Sequence, residues 1–241
     1  MKVYSIIPAR AGSKGLKDKN VKILGGHPLL AWSIKASNNS KSISRTFVNT
    51  DSSIYADIAG SYGAEIPFLR PSELSQDKST DYDFVRHFLD YLESIDDVPD
   101  LLVHLRPTTP FRNPTKIDEA IELAHSMKKT VSAVRSVHEM SETAYKTMEI
   151  DSEGFLISAF RRERDLESSN APRQSFAKTF SPNGYVDILV PHKIISTKKL
   201  HGNQVFGITT EQVIEIDSAF DFSLCEYMLN AGKFDKSRIW G

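Results

Sequence analysis

The stretch Val3-Tyr4-Ser5-Ile6-Ile7-Pro8-Ala9-Arg10-Ala11-Gly12-Ser13-Lys14-Gly15-Leu16-Lys17-Asp18-Lys19-Asn20 governs how the rest of the chain is interpreted. Val3 to Ile7 is a short apolar run that reads as a strand, and Pro8 interrupts it. The residues after Pro8 are mostly polar, include Gly12 and Gly15, and gather Arg10, Lys14 and Lys19. A loop directly after a strand sits at that strand's carboxyl end, where open α/β sheets bind ligands. Two glycines and Ser13 let the backbone fold around a ligand and present N–H donors, while three cations at one mouth suit a triphosphate. The loop matches neither G-x-x-x-x-G-K-[ST] nor G-x-G-x-x-G, which excludes the P-loop and the dinucleotide fingerprint. A solvated basic loop has the same composition, and it is the position behind the first strand that favours the binding reading.

Beyond this segment, short apolar runs alternate with helical periodicity, the pattern of a parallel sheet covered by helices. Arg45 to Asn49 reads as the second strand, ending at Thr50-Asp51-Ser52, and Ile54 to Tyr62 as a helix. A helix from Leu29 to Ala36, a short strand from Glu65 to Phe68 and an amphipathic helix from Asp81 to Ser94 complete this half. Leu101 to Leu105 is almost continuously apolar, as a strand buried on both faces requires. A helix from Pro114 to Met127 and a strand from Thr130 to Val134 come next. The character changes over residues 138–182, which are densely charged and weakly periodic, and too long for a plain loop in a compact domain. They read as an inserted arm between the two parts of one α/β domain, residues 1–137 and 183–241. Strands at Val186–Val190 and Ile214–Ile216 and a helix at Phe222–Leu229 restore the pattern.

Composition narrows the function classes. Thirty basic and 31 acidic residues leave a formal net charge of −1, so no broad electrostatic footprint for DNA or RNA is expected. A single cysteine, Cys225, excludes an internal disulfide framework and fits a reducing compartment. The apolar start is too short for a signal peptide or a membrane span, and a cytoplasmic protein without a membrane partner is expected. The histidines are scattered without zinc spacing, and His104, inside an apolar strand, reads as a core residue.

A second constellation lies near the end. In a strand, Glu215 and Asp217 of Glu215-Ile216-Asp217 point to one face and can both reach a hard cation. Magnesium takes oxygen ligands of this kind, commonly one or two carboxylates together with substrate phosphates. A polar strand edge followed by a helix start at Asp221 is the plainer alternative.

The string IPARAGSKGLKDKN resembles the signature of the CMP-sialic acid synthetases and their relatives for other nonulosonic acids. The likeness continues in order through the Asp51 turn, RPSEL (70–74) followed by Asp77, LRPTTPFR (105–112), PNG (182–184) and IEIDSAFD (214–221). It implies a Rossmann-like nucleotidyltransferase fold in three layers, with a dimerisation arm, and a one-step transfer of CMP from CTP to a keto-sugar acid. By that resemblance Arg10, Ser13, Lys14, Lys19 and Asn20 hold the nucleotide, with Arg10, Lys19 and Asp217 as the catalytic set and Mg2+ as the metal. Arg70, Arg106, Thr108, Thr109 and Asn183 line the acceptor side, and Arg173 of the arm reaches a neighbouring subunit's sugar in a homodimer.

Three positions depart from the family's usual wording. Glu215 stands where Asp is usual, Arg106 where Gln is usual, and NGYVDI replaces NGAIYI. A guanidinium at 106 offers a forked donor to a carboxylate. The departures move the expected acceptor from sialic acid toward legionaminic acid. Transfer to pseudaminic acid or the eight-carbon acid Kdo, and an inactive nucleotide-binding module, are the alternatives. The Kdo enzymes' P-A-R-x-x-S-x-R-L-P wording is not met by Lys14-Gly15-Leu16-Lys17.

Overall fold

In the computed structural model, which describes residues 1–241, the opening apolar run is strand β1 (Val3–Pro8). Its side chains alternate between two apolar layers: Val3 and Ile7 enter one, Tyr4 and Ile6 the other. Ser5, the polar exception, is matched by the Ser37 hydroxyl at 2.7 Å. The loop to Asn20 leads into a two-residue hairpin, β2 (Ile23–Leu24) and β3 (His27–Pro28). Gly25 and Gly26 at its turn both have positive φ, the requirement of the tight hairpin turns that match strand twist. Helix α1 (Leu29–Asn38) begins after Pro28 and is buried along most of its length.

Next come β4 (Arg45–Asn49) and α2 (Ser53–Ser61), which Ser52 caps by accepting from the Tyr55 amide. Helix α3 (Asp81–Ser94) begins at a reciprocal capping box between Thr80 and Asp83. It buries Phe84, Val85, Phe88, Leu89 and Leu92, a single stripe at helical spacing. Strand β5 (Leu101–His104) is wholly buried, and α4 (Pro114–Ser126) starts with Pro114 in its first turn and Asn113 as cap. Strand β6 (Ala133–Glu139) leads to an appendage holding a separate hairpin, β7 (Met148–Ile150) and β8 (Leu156–Ser158). The chain returns in β9 (Phe180–Leu189), then α5 (Pro191–Thr197), β10 (Val205–Thr209), α6 (Ala219–Asn230) and α7 (Ser237–Trp240).

The main sheet has the order β10-β6-β9-β5-β1-β4. β1 pairs in parallel with β4 and β5, β6 with β10, and only β9 runs against its neighbours. One face is covered by α1, α2 and α4, the other by α3 and α5, giving the mostly parallel sheet that the alternation implied and the three layers that the resemblance implied. A third apolar cluster, built on Trp32, Phe111, Ile216 and Phe222, fastens the C-terminal helices beside the hairpin. This topology brings the loops after β1, β4 and β5, the incoming end of β9 and the segment after β10 to one edge of the sheet. No helix is long and apolar enough to cross a membrane.

The secondary structure differs from the expectation in several places. The hairpin of β2 and β3 and the helices α5 and α7 go beyond it, and β6 begins and ends later than the expected strand at 130–134. Residues 65–68 form a single bridge, Phe47 to Glu65, rather than a strand. Ile214–Ile216 joins no ladder; the Ile216 amide donates to the Thr108 carbonyl instead. Its alternation survives without a sheet, because Ile214 and Ile216 pack inward while Glu215 and Asp217 stay exposed. Strand β10 has no counterpart in the sequence reading: it is a half-exposed edge carrying Gly207 and lacks a continuous apolar run.

Candidate functional site

A cavity of about 510 Å³ opens at the carboxyl edge of β1, and only two of its 19 lining residues are hydrophobic. The loop after β1 forms one wall. Gly12 takes φ +71°, and the Ala11 amide donates to Asp51 Oδ1 at 2.8 Å, which ties this loop to the turn after β4. Buried Asn20 donates to the Arg10 carbonyl at 3.0 Å and so sets the loop's width. Gly15 passes so close to the Asp217 carbonyl oxygen that a side chain there has no room. The first loop and the IEID segment are therefore one mouth.

The cations at that mouth are held by carboxylates. Lys19, only 12% exposed, donates to the Ile216 carbonyl at 2.7 Å and to Asp217 Oδ1 at 3.0 Å. Arg10 reaches the Ser75 carbonyl at 3.2 Å and Asp77 at 3.3 Å, and Lys14 pairs with the other oxygen of Asp77. The hydrogen bond from Lys14, reinforced by its charge and that of Arg10, holds the Asp77 carboxyl below its usual range. Ser13 completes this wall.

The deeper wall is built differently. Arg70 is buried, donates to the Asn49 side chain and, at 2.6 Å, to its carbonyl, and lies over the Phe84 ring. Burial pulls its guanidinium down to about 10, still charged at neutral pH. Arg106 donates through Nη1 to Asp187 Oδ2 at 3.0 Å and through Nη2 to Asp81 Oδ2 at 2.8 Å. Asp187, 1% exposed, also has His201 Nε2 at 3.3 Å and Arg135 Nε at 3.5 Å, the latter a charge contact without hydrogen-bond geometry. Burial alone raises the Asp187 carboxyl; the bond from His201 and the charge of Arg106 outweigh it and hold the group well below its usual range. In register, His104, Asp187 and Arg135 form a row across β5, β9 and β6. His104 is fully buried with neither ring nitrogen partnered, and burial pushes its pKa down to about 4.

The cavity thus gathers Arg10, Ser13, Lys14, Lys19, Asn20, Arg70, Arg106, Thr108 and Asp217. Four further candidates lie outside its lining. Thr109 is buried behind Thr108 against Gly184, whose φ of +62° favours glycine and where a Cβ would be crowded, 3.1 Å from Thr109 Oγ1 and 3.3 Å from Glu215 Oε1. Glu215 itself sits by Thr108 Oγ1, at 3.4 Å. Asn183 donates its amide to Thr210, at 2.6 Å, and its side-chain oxygen accepts from the Tyr185 amide. Arg173 lies at the root of the appendage, donating to the Met140 carbonyl at 2.9 Å beside a second cavity that Lys178 also lines.

Arg112 ends the loop expected to line the acceptor pocket, but it lies outside the cavity and serves the fold instead. It is completely buried and donates to the carbonyls of Tyr185, Thr109, Arg106 and Gly184 and to the Ser33 hydroxyl. Burial draws it down to about 9, so it remains charged while it pins the loop after β5 to β9. Its only signal in the sequence is an arginine within the apolar-flanked LRPTTPFR block.

Comparison with known proteins bears on the family and the fold. The family model described as cytidylyltransferase matches residues 4–189. The chain is similar to the N-acylneuraminate cytidylyltransferase of Escherichia coli O18:K1:H7, 35% identical over 92% of this chain and 51% of that protein. It is also similar to the CMP-N,N'-diacetyllegionaminic acid synthase of Legionella pneumophila, 32% identical over 95% of this chain and 97% of that one. It therefore spans about half the length of the first relative and nearly all of the second. Among solved structures, a CMP:2-keto-3-deoxy-manno-octonic acid synthetase complexed with CTP matches with a TM-score of 0.69 at 12% identity, over 96% of this chain and 100% of that one. A cytidylyltransferase from Leptospira borgpetersenii matches at 0.61 and 17%, over 96% and 87%. At such identities the likeness is one of fold.

Proposed function

Because the chain belongs to the cytidylyltransferase family, we propose that it transfers CMP from CTP to the anomeric hydroxyl of a nonulosonic acid of the sialic or legionaminic type. The observation that carries this reading is the mouth itself: Arg10, Lys14 and Lys19 line one cavity, each paired with a carboxylate at its rim. The sugar hydroxyl attacks the α-phosphorus and gives up its proton to solvent, a P–O bond forms, and the bond to the leaving pyrophosphate breaks. Negative charge grows on the departing phosphate oxygens, where fixed cations act most strongly. An incoming triphosphate exchanges with Asp77 and Asp217 for these cations. Lys19, the least exposed of them at the rim, keeps its place through the Ile216 carbonyl during that exchange.

Asp217 also fits a magnesium ion. Its carboxylate is 73% exposed at the cavity rim, and one carboxylate plus phosphate oxygens is an ordinary magnesium environment. Glu215 stands behind Thr108 and would act through water. Bound there, Mg2+ would neutralise charge on the phosphate oxygens. A second copy of the chain is inferred on the appendage, where Ile150, Phe155 and Phe160 are exposed, in a reducing, cytoplasmic setting that the single buried cysteine fits. The test is pyrophosphate release with CTP and magnesium across sialic, legionaminic, pseudaminic and Kdo acceptors. Release with a nonulosonic acid is expected, and silence with all four in a folded protein overturns the reading. Asp217→Asn is expected to abolish the magnesium dependence or nearly all of the rate; full activity with an unchanged metal optimum removes Asp217 from the metal site.

A further inference from the structure

Two departures from the family's usual wording, Arg106 and the Asp187 of NGYVDI, meet in space at 3.0 Å although one lies in the loop after β5 and the other within β9. Asp81, at the first turn of α3, takes the other Nη of the same guanidinium at 2.8 Å. Arg106 is therefore bracketed, with one carboxylate on each terminal nitrogen, and it is only 19% exposed. Of its five N–H donors two are committed. The Nε–H and one hydrogen on each Nη have no partner in the protein, and the residue lines the cavity.

This bracket changes what Arg106 recognises. An acceptor carboxylate brought to it comes within range of two carboxylates already in place, and in a partly buried wall that repulsion is weakly screened. A neutral oxygen meets no such opposition and gains the same hydrogen bonds. An amide carbonyl, planar and with in-plane lone pairs, suits the edge of a guanidinium whose plane is fixed. We propose that Asp187 is a positioning residue for the acceptor: with Asp81 it locks Arg106 and cancels its charge, so that Arg106 reads an acylamino carbonyl rather than the acceptor's carboxylate. Arg135 and His201 keep Asp187 itself in place from the other side of β9.

The inference rests on the transfer reaction proposed above, and the experiment separates the two. Pyrophosphate release is measured for the parent and for Asp187→Asn with two nine-carbon keto acids that differ only in carrying or lacking one acylamino group. The parent is expected to prefer the acylated acceptor in kcat/KM by about tenfold or more, the worth of one charge-assisted hydrogen bond. In Asp187→Asn the acceptor KM rises by about tenfold and the preference shrinks to about twofold, while the KM for CTP stays within about twofold. A merely structural lesion lowers the melting temperature and leaves the preference intact, which overturns the proposal. A fall in acceptor KM, the mark of a freed guanidinium capturing a carboxylate, overturns it as well. If Asp187→Asn does not fold, Asp81→Asn removes the other, more exposed bracket and must shift the same preference in the same direction. Silence of the parent with every acceptor instead sinks the transfer reaction, and this inference with it.

Discussion

The mouth and the back wall of the cavity are made of the same ion pairs in opposite environments. At the mouth, each pair has a carboxylate largely in water: Asp77 is 50% and Asp217 73% exposed, although Lys19 itself is only 12% exposed. Pairs of that kind contribute little net stability, because water screens them and ordering long side chains costs entropy. They can be exchanged for another anion at small cost. At the back, Arg106 and Asp187 are withdrawn from water, and breaking such a pair leaves a buried charge unmatched. The difference assigns the work: exchangeable pairs receive a polyphosphate, fixed pairs shape the surface a neutral sugar group meets.

The largest effect that tests this contrast is expected at the hub of the back wall. Asp187→Ala removes one carboxylate from among Arg106, Arg135 and His201 and is expected to destabilise the fold by about 3–5 kcal/mol, read as a lower urea midpoint. A loss below about 1 kcal/mol would place the back wall in the same class as a surface pair. At the mouth the expectation reverses: Lys19→Ala should lower turnover by about 10²-fold or more with only a small change in midpoint. Activity within a few-fold of the parent would mean that the loop after β1 does not hold the phosphates.

Acidity probes the back wall without mutation. The folded protein buries the His104 ring neutral, with a pKa lowered to about 4, whereas the unfolded chain takes the proton near the ordinary 6.5. Below 6.5 the unfolded state therefore binds more protons, and stability falls as pH drops from about 6.5 to about 4, by roughly 3 kcal/mol in all. Asp187, held low, adds its own loss only as pH falls below the ordinary value of 3.8. His104→Leu should flatten the upper limb in urea titrations between pH 6.5 and 4. A limb of unchanged slope would assign it to other groups.

How much of this was legible differs between the two regions for the same reason. β1 and β5 are largely apolar on both faces, so these strands stood out as runs, and the first loop was marked by being polar directly behind one of them. Gly12, Arg10, Lys14 and Lys19 are neighbours in sequence, and their gathering needed no fold. The back wall joins positions from β5, β6, β9 and α3, and a pairing such as Arg106 with Asp187 leaves no trace in local pattern. The structural role of Arg112 was hidden for a related reason: arginine is read as a surface or ligand-facing residue unless a carboxylate is near, and here its partners are backbone carbonyls and the Ser33 hydroxyl. Glu215 and Asp217 were placed on one side by strand alternation, and they keep that alternation in a segment that joins no sheet.

The smallest expected effect tests the exchange idea at the mouth. Asp77 pairs with both Lys14 and Arg10, so it competes with any phosphate for them. If its task is to park those cations until CTP arrives, Asp77→Asn removes the competitor, and the KM for CTP should fall by no more than about threefold with stability unchanged. The gain should shrink further as salt is raised, since the charges involved are exposed and screened within about 10 Å at 0.1 M. A rise in KM of about tenfold or more would show instead that Asp77 holds Arg10 and Lys14 in their productive positions. The mouth, like the back wall, would then be fixed rather than exchangeable.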